Sequence, residues 1–190
     1  MSGAPRIPPL PPEEWSGEEK RLLEAVPPGL EGRLGETSIF ATFARNPELF
    51  KVWLPFGGHL LTAGRLPGHD RELLILRTAV RCRSSYEWGQ HVRISLAGGM
   101  ERATIDRVLE GPGAEGWSEH EAALLRAADE LHDRSTISDQ TWSTLAKTYD
   151  DARLIEATMV VGHYHLVSFA VNAFGVELDE GMEPLPPDFS

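Results

Sequence analysis

The run DRELLILRTAVRCRSSYEWGQHVRISLAGG, residues 70–99, decides how this chain folds. Its apolar residues recur at three- and four-residue intervals, the spacing of a helix face, and a short polar break divides it into two helices. Each helix carries an ionisable side chain on its apolar stripe. On the first, Glu72 lines up with Ile75, Leu76 and Ala79 while Arg77 and Arg81 fall on the far side, so a carboxylate is aimed inward. On the second, His91 shares a face with Trp88, Ile94 and Ser95. Glu87 precedes it at the i, i+4 spacing that brings two side chains together. Asp70 is placed to cap the first of the pair.

Each of these residues also has a structural reading. Ser84, three residues before Glu87, fits a capping box in which the serine caps the helix and the glutamate returns to its amide. Glu72 sits in a first helical turn, where the helix dipole favours any acid and the side chain can curl out to water. A histidine on an apolar face is ordinarily a hydrogen-bonded core residue.

The spacing of a Glu, eighteen residues and a His, closed by YEWGQH, resembles the central helical pair of the carboxymuconolactone decarboxylase family, which includes the alkyl hydroperoxide reductase D-like proteins. LPFGGHLL before the pair and LIEATMVVGHYHLVSFAVNAFGVELDEG near the C-terminus extend the resemblance, with YEWGQH and VGHYH its most specific phrases. It implies an all-α fold, an orthogonal helical bundle that assembles into trimers or hexamers. It also implies decarboxylation of a small lactone carboxylate, or a related proton transfer. Carried onto this chain, His91 becomes the proton donor or base, Glu72 sets its protonation state, and Glu87 or Tyr86 orients the substrate. Trp88, Ser84 and His59 join Tyr86 as substrate-contacting residues.

The peroxidase-supporting branch of that family has a Glu, eleven residues, Cys, two residues, Cys, three residues and His. Laid on this chain the pattern starts at Glu72 and ends at His91, but Ser84 and Glu87 stand at the two cysteine positions. Dithiol chemistry needs one thiolate to attack and a second thiol to resolve, and Cys82 is the one cysteine present. A peroxiredoxin-type activity is therefore disfavoured. Cys82 reads as a small hydrophobe. A non-catalytic oligomeric helical protein remains the rival class; it predicts a closed centre between the two helices, where an enzyme needs a pocket.

The 190 residues suit one domain with trailing arms: a Pro-rich N-terminal arm with a short helix over 1–36, a helical domain over 37–175 and a tail over 176–190. Eighteen basic against twenty-nine acidic residues give a net charge of −11, which repels nucleic acid and anionic membrane. The single cysteine does not favour secretion, and the N-terminus lacks a continuous apolar segment, so a soluble cytoplasmic protein is expected. A small-molecule substrate and further copies of the chain are the expected partners, with no nucleic acid, membrane, cofactor or metal.

In chain order, residues 4–12 read as an extended arm draped over a neighbour, and residues 12–25 permit a short helix. Thr37 or Ser38 caps a helix through Phe43. Pro47 opens the next, which Pro55 is expected to break, leaving residues 56–63 as a separate helix bearing His59. MERATIDRVLEG ends at Gly111 and Pro112, Ser118 with Glu121 forms a capping box for the following helix, and Ser138 caps another through Trp142, Leu145 and Tyr149. His120 and His132 have polar neighbours and read as surface residues. The last helix, residues 151–174, is apolar nearly all round and must be enclosed by its own domain or another subunit, though polar residues interrupt it too often for a membrane span. Within it His163 and His165 lie two apart, about 200° round the helix, and cannot chelate one metal from one face. Glu156 aligns with His163 for a buried hydrogen bond. Arg81 and Arg93 are nearest in sequence for binding a substrate carboxylate. Gly175 closes the helix, and the acidic tail reads as an arm or disordered.

Overall fold

A computed structural model describes residues 4–24 and 38–189 and is all-α, with no strand among the described residues. Thr37 lies outside them. The helices are α1 (Gly17–Glu24), α2 (Ser38–Phe43), α3 (Pro47–Thr62), α4 (Gly68–Arg81), α5 (Ser85–Ala97), α6 (Arg102–Glu110), α7 (Glu119–Arg134), α8 (Asp139–Leu145) and α9 (Asp151–Phe174). Two compact units are distinguished: Met1–Gly64 with Ala170–Met182, and Arg65–Phe169 with Glu183–Ser190.

In the first unit, α3 runs unbroken through Pro55, against the expected break. The ring removes one amide donor from the turn, but Pro55 and Lys51, whose carbonyl would have received it, are both exposed, so water replaces the lost bond. Phe40, Phe43, Phe50 and Trp53 pack ring against ring, with Phe43 and Trp53 edge to face at 4.9 Å. The N-terminal arm binds its own chain: the amides of Arg6 and Ile7 donate to the Phe174 carbonyl at 2.7 and 3.2 Å, and that of Leu10 donates to Ala41 at 2.9 Å. A 3₁₀ turn, Pro12–Glu14, precedes α1. The tail is ordered in the same way, beginning with the Ser38 amide donating to Asp179 at 2.8 Å.

The second unit is organised around α4, whose Leu73, Leu74, Ile75, Leu76 and Thr78 are wholly buried. It packs against α5, α6 and α7. Being covered on all sides, α4 leaves no solvent face for Arg77, which is buried after all. Its guanidinium donates to both oxygens of Asp129 at 2.6 and 2.9 Å and to the Val108 carbonyl at 3.0 Å. Asp70 is not the cap, since the helix starts two residues earlier. Its carboxylate instead accepts from Tyr149 Oη at 2.5 Å and pairs with His120 Nε2 at 2.9 Å, which draws His120 off the surface.

The turn between α4 and α5 passes through Arg83 at φ 51°, a left-handed conformation that glycine usually supplies. The Ser84 amide donates back to Ala79 at 2.9 Å, closing the turn and reversing the chain so that α5 lies along α4. The Ser118–Glu121 capping box of α7 and the Ser138 cap of α8 form as read from the sequence. In the tail Leu185 is buried and Glu183 pairs with Arg102 at 2.7 Å.

Candidate active site

The inward carboxylate of α4 meets the imidazole of α5. His91 Nδ1 lies 2.8 Å from Glu72 Oε2, and both side chains are almost fully buried. The other oxygen of Glu72 accepts from Arg71 Nε and a terminal guanidinium nitrogen, each at 3.1 Å, and the Ser95 hydroxyl reaches Oε2 at 3.4 Å. Burial pushes the Glu72 carboxyl up, but the opposing charges and hydrogen bonds of His91 and Arg71 outweigh it and hold the group below its usual range. Glu72 is therefore an anion that holds His91 through Nδ1 and leaves Nε2 directed at Glu87.

Nε2 faces Glu87, whose Oε2 is 3.9 Å away. The capping box expected of Ser84 and Glu87 does not form: Ser84 occupies the cap position with no side-chain cap bond, and its hydroxyl is buried without a partner among the described residues. Glu87 turns inward instead. Burial pushes its carboxyl up to about 7, the positive charge of His91 acting weakly the other way. One buried carboxylate is thus ionised and the other carries a proton near neutrality, with an imidazole between them.

From α9 the Tyr164 ring meets His91 edge to face at 4.8 Å. Its neighbour His163 is buried; desolvation and the charge of His91 lower it to about 4, so it stays neutral. A cavity of about 200 Å³ opens beside this cluster, lined by His69, Arg71, Glu72, Ile94, Ser95 and Met100. Glu72 thus stands between the cavity and His91, while His91 and Glu87 lie off its wall.

Of the other residues singled out from the sequence, Tyr86 points away, its oxygen accepting from Gln90 at 3.1 Å, and Trp88 is a buried core ring. His59 is exposed on α3 in the first unit. Arg81 pairs with Asp133 and Asp129, and Arg93 binds Gln90, so the cation at the cavity is Arg71. Glu156 does not pair with His163: its carboxylate accepts the amides of Arg65 and Leu66 at 2.7 and 3.0 Å. Arg71 and Tyr164 are absent from the sequence reading, although Tyr164 stands inside the VGHYH phrase, and Ser95 is read there only as sharing the face of His91.

Residues 47–130 match the family model of the carboxymuconolactone decarboxylase family. This segment, short of half the chain, is what the protein shares with that family. Solved structures with the same fold include the debrominase Bmp8, with TM-score 0.75 and 16% identity over 92% of each chain. An uncharacterized peroxidase-related protein from Silicibacter sp. TM1040 has TM-score 0.75 and 14% identity over 100% of this chain and 97% of its own. A second, from Ralstonia eutropha JMP134, described as an alkylhydroperoxidase AhpD core, has TM-score 0.69 and 18% identity over 83% and 89%. No curated protein sequence matches the chain. The chain has one cysteine, Cys82, whose thiol is raised by burial to about 11, far from the range of an attacking thiolate.

Proposed function

We propose that this chain is an acid–base catalyst of the decarboxylase type, acting on a small lactone or carboxylate held in the cavity beside Glu72. One observation carries the reading: Glu87, His91 and Glu72 stand in series at 3.9 and 2.8 Å, and the last of them forms part of a cavity wall that also presents Arg71. Loss of CO₂ breaks a carbon–carbon bond and leaves its electron pair on the substrate carbon, which must then take up one proton. His91 is suited to deliver it through Glu72, the member of the series at the cavity wall: Glu72 takes the Nδ1 proton as it gives one to the carbon. Glu72 fixes the imidazole and links it to the cavity, Glu87 acts as the proton reserve, and Arg71 supplies positive charge for the substrate carboxylate. Run in the opposite sense, the same series removes a proton from carbon.

The test is CO₂ release from a panel of carboxylated lactones, beginning with carboxymuconolactone, by the parent chain and by His91→Gln. Turnover is expected to fall by about 10²–10⁴-fold in the variant, with its helical circular dichroism unchanged. A variant as fast as the parent, or a parent inert toward the whole panel, overturns the reading.

Self-association belongs to the same proposal. Ile155, Met159, Leu166 and Phe169 form one exposed apolar stripe along α9 at helical spacing. By length and composition this helix could also cross a membrane, although 56% of its most apolar window is buried in the fold. The stripe supports assembly into trimers or hexamers, and a monomer in sedimentation velocity would exclude it.

A further inference from the structure

A second cluster of reactive side chains lies in the same unit, apart from the Glu72 series. Cys82 caps the end of α4, His132 lies in the last turn of α7, and His165 lies on α9. One ligand-type atom of each falls within 4.8 Å of the others. We propose that Cys82, His132 and His165 form a binding site for a borderline divalent cation, zinc foremost.

Three observations support the assignment. His132 Nδ1 and His165 Nε2 are 3.0 Å apart, and His165 Nδ1 donates to the Val161 carbonyl at 2.8 Å. That second bond fixes the tautomer and turns the Nε2 lone pair toward the cluster, the arrangement that carbonyl partners impose on metal-binding histidines. The donor set is the second: one sulfur and two imidazoles suit zinc, at bond lengths of about 2.0–2.3 Å. A tetrahedral ion would place its ligand atoms about 3.4–3.6 Å apart. Binding would displace the proton shared by His132 Nδ1 and His165 Nε2 to the other nitrogen of His132 and release the Cys82 thiol proton to water.

Access is the third. His132 lines a cavity of about 380 Å³ together with Arg77, Arg81, Arg83 and Asp188. Three protein ligands and an adjoining cavity leave room for a water or anion as the fourth ligand. Arginines beside a cation site would repel the ion, but Arg77 is matched by Asp129 and Arg81 by Asp129 and Asp133. The ion would join α4, α7 and α9. Because His165 directly follows Tyr164, whose ring lies against His91, a bound metal would hold one wall of the Glu72 series in place.

The test is titration of the tag-free, metal-stripped full chain with Co²⁺, followed by visible and near-ultraviolet absorption, and with Zn²⁺ against a chromophoric chelator. One ion per chain and a thiolate-to-cobalt charge-transfer band are expected from the parent. Cys82→Ser is expected to abolish the band, and His132→Gln and His165→Gln each to weaken zinc binding by about tenfold or more. A parent spectrum without the thiolate band overturns the site, and this measurement needs no variant to fold. Unchanged zinc affinity in both histidine variants overturns it equally, whatever the outcome of the decarboxylation assay.

Discussion

Helix α4 serves two trios of side chains that differ in almost every respect. Near its start, Glu72 meets His91 and Glu87; at its end, about 15 Å further along the axis at the helical rise, Cys82 meets His132 and His165. The first trio is nearly sealed and pairs an imidazole with two carboxyls. The second is half-buried, has no carboxylate and consists of soft donors. A buried carboxylate costs too much unless it is paired or protonated, and here each of the two meets that requirement differently: Glu72 through Arg71 and His91, Glu87 by keeping its proton. The first trio is thereby set up to move protons, and the second to hold an ion whose ligands are neutral imidazoles and one thiolate.

Removing the paired anion should show the difference most clearly. Glu72→Gln leaves His91 without the acceptor that fixes its tautomer, so turnover in the CO₂ assay should fall by about 10²-fold or more, while the cobalt charge-transfer band persists. Loss of that band together with activity would mean that the two trios act as one.

Glu87→Gln should follow in size, read as stability. The folded chain keeps the Glu87 proton to about pH 7, whereas an unfolded glutamate releases it near 4.5, so stability is lost as pH climbs through that interval. The loss is on the order of 3 kcal/mol. The glutamine variant should show a flatter thermal-melting profile from pH 4.5 to 7 and melt several degrees above the parent at pH 8. Parallel profiles would mean that Glu87 is ionised in the fold.

His163 acts on the acid side. It stays neutral in the fold down to about pH 4, while an unfolded histidine takes a proton near 6.5, so stability is lost as pH falls between those values. His163→Gln should remove a loss on the order of 3 kcal/mol, seen as a shallower fall in urea midpoint from pH 6.5 to 4. Ser95→Ala is the mildest change. Its hydroxyl reaches Glu72 only at 3.4 Å, and about 1 kcal/mol or less should be lost in urea unfolding. A larger loss would make Ser95 a principal support of the anion.

How much of this was legible in the sequence depended on the distance along the chain over which a contact is made. The α4–α5 pair and the Glu72–His91 meeting were readable because helical periodicity sets which face each residue occupies. Glu87 was open to two readings because the same three-residue offset from Ser84 satisfies a capping box; burial of the serine hydroxyl decided between them. Periodicity puts Arg77 on the far side of the helix from Glu72 and cannot show that α6 and α7 cover that side. Pro55 was misplaced for the complementary reason, since its cost depends on whether the orphaned carbonyl meets water. Tyr164 and the His132–His165 pair acquire their roles from helices distant in sequence, whereas Arg71 bonds its neighbour Glu72, an i, i+1 contact that helical periodicity does not predict.

Glu156 illustrates what such long-range bonds entail. From α9 it secures two successive amides, those of Arg65 and Leu66, just ahead of the helix that bears Glu72. A ribosome-bound chain that has not yet emitted residue 156 lacks this clasp, so the lead-in to α4 is fixed late in synthesis.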